Sequence, residues 1–172
     1  FGEAPQVGGI LSEEDRKKMS RLFSMLKRKL EERKKQMGGG NYEQYVSVHK
    51  TAMPAIILFI DEYAAWKEKT GGIYEETLLR LAKEGMHYGI YLVVSGYGFH
   101  MNDLPLRLEE TMGQVLCLNL PDKYAYGNLL HQPFDLMPER GIKGRGLALV
   151  GQQVLEFQTA LCVDAKHDYE RL

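Results

Sequence analysis

The chain has 172 residues, enough for one domain with a sizeable core, and its 44% hydrophobic and 26% charged residues are ordinary for a globular protein. Its formal net charge of −1 gives no sign of a partner of strong opposite charge, and its longest apolar run is far shorter than the ~20 residues of a membrane span. The two cysteines, Cys117 and Cys162, lack metal-ligand spacing, and we expect both to be buried, reduced thiols.

The first predicted element is a long amphipathic helix over Ser12–Met37. Ser12 resembles an N-cap, with Asp15 at capping-box spacing, and apolar residues recur at three- and four-residue steps beyond it. Gly38–Gly40 ends the helix. Its basic residues surround the apolar stripe instead of sharing one face, which favours a solvated outer surface over a DNA-binding one.

Two buried strands follow, with a helix between them. After a short helical turn over residues 41–49, the run Ala55–Ile60 is apolar on both faces, which is typical of a central strand in a parallel sheet. A loop at Thr70–Gly72 leads to a predicted helix over Ile73–His87. The segment Ile90–Ser95 then predicts a second buried strand.

The remaining elements are shorter. They are a helix over Leu104–Met112, a strand over Gln114–Leu120, a helix over Tyr124–Leu130, a loop over Pro133–Gly144, and two antiparallel strands, Gly146–Val150 and Val154–Leu161, joined at Gly151–Gln152. The order strand, helix, strand, helix, strand predicts an α/β fold with a parallel sheet. The closing hairpin adds a smaller antiparallel part.

The sharpest local motif is the apolar run Ile56–Ile60 followed by Asp61 and Glu62. This is the Walker B pattern, in which a central strand delivers two carboxylates to the edge of the sheet where ligands bind. Asp61 would hold Mg²⁺, directly or through water, and Glu62 would orient or deprotonate the attacking water. By itself the motif also fits a buried strand that ends in acidic residues because it reaches solvent.

The phosphate-binding loop that partners this motif is missing from the sequence. Such a P-loop is a Gly-rich turn followed by Lys-Ser or Lys-Thr at the start of a helix. The dense glycine cluster, Gly38–Gly40, follows a helix and is succeeded by Asn41 and Tyr42 without a lysine. We therefore interpret it as a helix stop.

Segments along nearly the whole chain resemble the FtsK/SpoIIIE family of ATPases, in the part of the domain downstream of the P-loop. They are Pro5–Leu11 with the acidic helix start after it, the helix end Leu30–Arg33, Asn41–Tyr45, Ile57–Ala65, Leu79–Gly85, Gly89–Val94, Lys143–Leu147 and Val154–Ala160. The resemblance implies that residues 1–172 form a single partial ATPase domain. Its expected fold is α/β, a partial RecA-like (P-loop NTPase) three-layer domain with a parallel sheet and a C-terminal antiparallel hairpin.

Within the family, the chain is most similar to the type VII secretion branch (EssC/EccC type). The Pro-x-Val-Gly-Gly start, the Asp-Glu-Tyr-Ala-Ala strand end and the Leu-Glu-Phe-Gln-Thr-Ala finish are the features that favour this branch. DNA translocases of the FtsK/SpoIIIE type are the alternative, and conjugation-type pumps are a further one.

The resemblance also assigns roles to individual residues. Asp61 matches the family's Mg²⁺-ATP position and Glu62 its catalytic carboxylate. Arg33 falls where the family's basic helix can supply an arginine finger to a neighbouring subunit, although Glu32 replaces the first arginine of that pair. The alternative for Arg33 is a solvated cation at the end of a helix.

A second departure from the family lies at Ser95–Gly98. Active members tend to end this strand in Ala-Thr-Gln, a polar sensor of the γ-phosphate, whereas Gly96 and Tyr97 stand here in place of Thr and Gln. This difference favours a tandem domain that is regulatory or docks substrates. Tyr63 and Trp66, which follow the carboxylates, are expected to pack in the core or at a subunit interface.

The resemblance implies a motor ATPase whose domain faces the cytoplasm at a bacterial plasma membrane. Its implied partners are other ATPase domains of the same chain, neighbouring subunits in a homo-hexamer, and small helical proteins that are exported; DNA is a partner only under the alternative. ATP and Mg²⁺ are the implied cofactors of the complete domain. We do not expect the chain alone to bind them tightly, because it lacks the P-loop.

The family fold places the P-loop strand beside the Walker B strand. Without it, Ala55–Ile60 loses a neighbour, and an unpaired apolar strand favours aggregation. We therefore expect the isolated chain to rearrange, to pair with a second copy or to fold only marginally.

Overall fold

The computed structural model of the chain describes residues 2, 4–12, 14–49, 53–97, 104–131, 137–150 and 152–160. The chain divides into two compact units, Phe1–Thr111 and Met112–Leu172, and each unit has its own sheet. The predictions made above also involve four residues outside the described ranges, which are Gly98, Gly151, Leu161 and Cys162.

Unit 1 combines helices with a pair of parallel strands. Its elements are α1 (Arg16–Met37), α2 (Tyr42–His49), β1 (Ile56–Ile60), α3 (Tyr63–Thr70), α4 (Glu75–Glu84), a 3-10 turn (Gly85–Tyr88), β2 (Ile90–Val94) and α5 (Leu106–Glu109). β1 and β2 are parallel, with Ile56 opposite Ile90 and Ile60 opposite Val94. The two predicted strands and their parallel relationship are therefore confirmed.

The long amphipathic helix is confirmed as α1, but it begins at Arg16 rather than just after Ser12. The Asp15 carboxylate accepts a hydrogen bond from the Ser12 backbone N–H at 3.4 Å, so these residues form a turn ahead of the helix. Gly38 ends α1 in the left-handed conformation, with a φ of 55°. The buried stripe of the helix consists of Met19, Phe23, Leu26, Leu30, Arg33 and Met37.

One face of the parallel pair is covered by α1 and α4. The buried cluster there consists of Leu26 and Leu30 of α1, Leu81 of α4 and Ile90 of β2, and Ile56 and Leu58 of β1 pack against it. Salt bridges link the two helices above this cluster, from Lys34 to Glu84 and from Arg80 to Glu31. The core therefore fixes the parallel pair through one face of each strand.

The other face of β1 is open. Ile57 is 54% exposed and Phe59 is 69% exposed. Within the described residues, β1 pairs with β2 alone. In the described part of the chain β1 is thus an edge strand, which agrees with the expected loss of a neighbour on the P-loop side. The expected self-association or marginal folding stays a prediction.

In the residues that the structure describes, unit 2 is an antiparallel sheet with one helix. Its elements are β3 (Leu116–Cys117), α6 (Lys123–Leu130), β4 (Arg145–Val150) and β5 (Gln153–Gln158), and the strand order is β3-β4-β5. The predicted helix and hairpin are confirmed. Asp122 caps α6, because its carboxylate accepts hydrogen bonds at 2.9 Å from the N–H groups of Tyr124 and Ala125.

The strand predicted over Gln114–Leu120 does not continue the parallel sheet. Only Leu116 and Cys117 form a strand, and they pair antiparallel with Ala148 and Leu147 of β4. This pairing places Cys117 in the core of unit 2, where it packs with Tyr126, Leu130 and Leu147. The prediction of a third strand in the parallel sheet was therefore wrong.

The prediction that Cys117 is buried is confirmed. Its side chain lies in the unit 2 core, and burial raises the pKa of the thiol to about 11. Gly146 lies beside it, and a Cβ at Gly146 would collide with the Cys117 carbonyl oxygen and the Phe157 ring. The absence of a side chain at Gly146 therefore allows β3 to approach β4.

Candidate active site

Three polar residues follow the two parallel strands of unit 1. Asp61 and Glu62 come directly after β1, and Ser95 comes directly after β2. Because Ile60 and Val94 are opposite each other, the two parallel strands end at the same edge of the pair. All three residues are exposed at this edge, which is where ligands bind in open α/β folds.

Ser95 connects the two carboxylate residues. Its hydroxyl donates a hydrogen bond to Oδ1 of Asp61, and its Oγ accepts a hydrogen bond from the backbone N–H of Glu62 at 3.3 Å. The sequence did not single out Ser95, because its contact with Asp61 depends on the register of β1 and β2. The available signal was a polar residue at the end of a strand predicted to lie beside β1.

Glu62 occupies an unusual backbone conformation. Its φ of 48° and ψ of 61° place it in the left-handed region, and it is the residue from which α3 departs. A residue with a side chain pays of order 1 kcal/mol or more for such a conformation, and residues of this kind cluster at functional sites. The sharp turn leaves the Glu62 side chain exposed beside Asp61.

An aromatic cluster lies behind the carboxylates. Tyr63 is fully buried, and its ring centroid is 5.8 Å from that of Trp66. Phe23 of α1 stacks on Tyr74 at 4.2 Å, and both lie 6.0 Å from the Trp66 ring. The core-packing interpretation is therefore confirmed for Tyr63, whereas Trp66 is only half-buried and the choice between core and subunit interface stays a prediction for it. The cluster links the start of α3 to α1.

The Tyr63 hydroxyl takes part in a small charged network. It donates to Oε1 of Glu75 at 3.3 Å, and the same oxygen lies 2.8 Å from Nζ of Lys67. Burial, reinforced by the Glu75 charge, raises the pKa of the Tyr63 phenol, so the phenol stays protonated and donates its hydrogen bond. This network ties α3 to the start of α4.

Arg33 lies at the opposite edge of the parallel pair. Its guanidinium donates to the carbonyl oxygens of Tyr88 at 2.9 Å, Gly89 at 2.8 Å and Pro54 at 2.6 Å. These carbonyls precede β1 and β2, so Arg33 is separated from Asp61 by the five-residue strand, roughly 16 Å at the usual rise per residue.

Burial decides between the interpretations of Arg33. The residue is only 4% exposed, so the alternative of a solvated helix-end cation is wrong. Burial also lowers the pKa of its guanidinium. The arginine-finger role stays a prediction, and these contacts favour an internal one, in which Arg33 holds the starts of the two strands together.

The donor set at the carboxylates suits a magnesium ion held mainly by phosphate and water. Mg²⁺ in such sites takes one or two protein carboxylates and completes its shell with phosphate oxygens and water. Asp61 has one oxygen bonded to Ser95 and another left for a ligand. Within the described residues, no group of three or more His, Cys, Asp or Glu side chains forms an all-protein metal cage.

The stretch after β2 differs in exposure along its length. Tyr97 is 94% exposed, Gly96 is partly buried, and Gly98 lies outside the described residues. Ser95 supplies an aliphatic hydroxyl at this edge from the β2 side, and Tyr97 presents a phenol ring. Tyr97 is thus the most exposed residue of the described stretch after β2.

The described residues thus form a mixed α/β fold with a parallel pair of strands and a separate antiparallel sheet of three strands. The antiparallel sheet of unit 2 includes the expected C-terminal hairpin, formed by β4 and β5.

Solved structures make the resemblance more specific. The chain is similar to EssC (ATPases 2 and 3) from Geobacillus thermodenitrificans, with a TM-score of 0.75 and 22% identity over 91% of this chain and 30% of that one. It is also similar to the cytoplasmic domain of the type VII secretion ATPase EccC of Thermomonospora curvata, with a TM-score of 0.68 and 15% identity over 90% of this chain and 19% of that one.

A third similar structure is the pCW3 conjugation coupling protein TcpA, in a monomer form with ATPgS. The TM-score is 0.66 and the identity 20%, over 89% of this chain and 46% of that one. The chain thus spans less than half the length of each of these proteins. No protein-family model matches the sequence, and no curated protein matches it.

The resemblance predicted from the sequence is therefore confirmed at the level of the fold, which is that of the EssC and EccC ATPase domains. Among the helices of the described residues, none has the length and apolarity to cross a membrane.

Proposed function

We propose that this chain is part of an ATPase domain in a type VII secretion motor, with Asp61 as the Mg²⁺-ATP ligand and Glu62 as the catalytic carboxylate. The observation that carries the proposal is the pairing of Asp61 and Glu62 through Ser95 at the shared end of two parallel strands. The similarity to EssC and EccC supports the secretion branch.

The residues of the chain would divide the work between them. Bound Mg²⁺ supplies positive charge that neutralises the phosphates during transfer. The free oxygen of Asp61 would hold the ion directly or through water. The exposed Glu62 carboxylate would accept a hydrogen bond from the attacking water and orient it toward the γ-phosphate. The phosphate-binding loop would come from sequence that precedes Phe1.

The whole-protein context belongs to the same proposal. The parent would be a bacterial membrane protein with this domain on the cytoplasmic side, and it would work as a homo-hexamer in which tandem ATPase domains of one chain meet those of neighbouring subunits. Its substrates would be small helical proteins for export. The similar structures support tandem domains, since one of them contains ATPases 2 and 3 of EssC.

The test is ATP turnover by the full-length protein and its Glu62→Gln variant. Loss of a general base typically lowers the rate by about 10²–10⁴-fold. Glu68→Gln is the matched control, because Glu68 is an exposed glutamate on α3, six residues after Glu62. Wild-type turnover with loss in Glu62→Gln alone supports the proposal. Equal rates in all three proteins would contradict the catalytic role of Glu62.

A regulatory or docking role is the second candidate, and the stretch after β2 favours it. Gly96 and Tyr97 carry no polar side chain of the sensor type, and Tyr97 presents an almost fully exposed ring. A domain of this kind would bind nucleotide, or rest on a partner, without rapid turnover. Failure of the wild-type protein to turn over ATP, together with binding to the C-terminal tail of an exported protein, would support this role.

DNA translocation is the alternative biology, and the similarity to a conjugation coupling protein keeps it testable. Pumping of duplex DNA predicts binding that weakens steeply as salt rises, because counterions are released on binding. The secretion proposal predicts no such binding. A titration of labelled duplex at two salt concentrations, beside a titration of an exported-protein tail, separates the two.

A further inference from the structure

We propose that Ser95 is a positioning residue that holds Asp61 and Glu62 in working geometry through one hydroxyl group. The inference rests on the proposed function of the two carboxylates, and it adds a residue that neither the Walker B motif nor the family pattern assigns. It starts from the hydrogen bonds at the end of the parallel pair.

The backbone of Ser95 is fixed on both sides by β1 and the residue that begins α3. Its N–H donates to the Ile60 carbonyl at 2.9 Å, and its carbonyl accepts from the Tyr63 N–H at 3.0 Å. These two bonds bracket Asp61 and Glu62 along the chain. The Ser95 side chain is therefore held at a constant distance from the two carboxylate residues.

The hydroxyl then uses both of its capacities. A serine hydroxyl has one hydrogen to donate and lone pairs to accept with. The hydrogen goes to Oδ1 of Asp61, and a lone pair accepts the Glu62 N–H at 3.3 Å. Alanine could make neither bond, whereas threonine could make both.

The bond to Glu62 acts on a backbone that needs support. Glu62 is in the left-handed conformation, with a φ of 48°. Such conformations persist only when the surroundings determine them. Two contacts hold Glu62 in this conformation. The Ser95 oxygen accepts a hydrogen bond from the Glu62 amide, and the next residue, Tyr63, is buried. Without the hydroxyl, the Glu62 amide loses its partner and the turn relaxes.

The bond to Asp61 acts on the ligand itself. A hydrogen bond to one oxygen fixes the rotation of the carboxylate and leaves the other oxygen aimed at the ligand side. Partners of this kind orient metal-ligating carboxylates, and their loss typically costs about 10–100-fold in metal affinity or activity. Ser95 thereby sets both the direction of the magnesium ligand and the position of the catalytic glutamate.

The first experiment needs neither metal nor turnover. Amide hydrogen exchange of the segment that contains Glu62 is measured by mass spectrometry on the full-length protein, its Ser95→Ala and Ser95→Thr variants, and the control Ser47→Ala, which removes an exposed hydroxyl on α2. The expected result is exchange roughly fivefold faster in Ser95→Ala, from the loss of one hydrogen bond, with wild-type exchange in the other two. Unchanged exchange in Ser95→Ala would overturn the inference.

The second experiment uses the full-length protein with Mn²⁺ as a spectroscopic probe in place of Mg²⁺. Ser95→Ala is expected to raise the dissociation constant of Mn²⁺ in the presence of nucleotide by about tenfold and to lower kcat more than it raises KM, while Ser95→Thr restores both. A purely structural role would lower the melting temperature of Ser95→Ala and leave the Mn²⁺ constant unchanged.

The outcomes separate this inference from the proposed function. If the wild-type protein binds Mn²⁺-nucleotide and Ser95→Ala binds it equally well, the positioning role of Ser95 is wrong and the proposed function stands. If the wild-type protein binds no metal-nucleotide while Glu62→Gln also changes nothing, the proposed function is wrong, and the positioning role is overturned with it.

Discussion

Unit 1 and unit 2 both contain strands backed by helices, but their strands end differently. In unit 1 the parallel strands β1 and β2 end at one edge, where Asp61, Glu62 and Ser95 meet. In unit 2 neighbouring strands are antiparallel and end at opposite edges. The direction of strand pairing therefore explains why the candidate site is in unit 1.

The two units also differ in the hydrogen bonds of a buried tyrosine. Tyr126 of unit 2 donates to the Leu118 carbonyl at 2.8 Å and accepts from the Leu120 N–H at 2.9 Å, so its hydroxyl satisfies the backbone. Tyr63 of unit 1 donates to the Glu75 carboxylate, which also pairs with Lys67. The Tyr126 hydroxyl thus satisfies two backbone groups of unit 2. The Tyr63 hydroxyl instead connects to a pair of charged side chains in unit 1.

The largest expected effect is the loss of the Arg33 anchor of unit 1. Arg33→Ala should lower the free energy of unfolding by about 3 kcal/mol, because three carbonyls lose charge-assisted hydrogen bonds. Chemical denaturation measures it, and Arg28→Ala, at an exposed arginine of the same helix, is the control. Full stability of Arg33→Ala together with loss of ATP turnover would favour the arginine-finger role instead.

The next effect compares the two buried tyrosines directly. Tyr126→Phe should cost about 2 kcal/mol, since a backbone donor and a backbone acceptor both lose their partner. Tyr63→Phe should cost about 1 kcal/mol or less, because Glu75 keeps its bond to Lys67. Denaturation curves of the two variants give the difference. A larger cost for Tyr63→Phe would reverse the proposed contrast between the units.

A pH dependence specific to unit 2 should follow from Cys117. The pKa of its thiol is raised to about 11 by burial, whereas in the unfolded chain the thiol titrates near its ordinary value. The stabilisation is therefore fully present below the ordinary pKa and is lost as the pH rises toward 11. Unfolding free energies at increasing alkaline pH, compared with those of Cys117→Ala, isolate this contribution. A parallel pH dependence in the variant would show that other groups cause it.

The smallest expected effect concerns the salt bridges between α1 and α4. Glu84→Gln should cost about 0.5 kcal/mol, because Glu84 and Lys34 are both partly exposed and solvent screens their ion pair. The hydrogen bond from Lys34 holds the pKa of the Glu84 carboxyl below its usual range. The stabilisation is thus present at neutral pH, is lost as the pH falls through that lowered pKa, and should vanish in 1 M salt. A cost that persists in high salt would mean that packing, not charge, is involved.

The sequence predicted the elements whose evidence is local. Apolar spacing gave α1 and the apolar part of its buried stripe, the apolar runs gave β1 and β2, and the residues after β1 gave Asp61 and Glu62 as candidates. The antiparallel hairpin was also predicted, because β4 and β5 are separated by a two-residue connection. In each of these cases the signal lies within a few residues along the chain.

Contacts between distant residues were decided by the tertiary structure. Ser95 meets Asp61 across 34 positions because of the register of β1 and β2, and Arg33 is buried because carbonyls 21 to 56 residues away converge on it. The pairing of β3 with β4 also depended on the packing of Cys117. A local pattern specifies the type of an element, but its partners follow from the sum of packing and hydrogen bonds over the whole unit. The sequence alone therefore determined which residues could form a site, and the fold determined which of them meet.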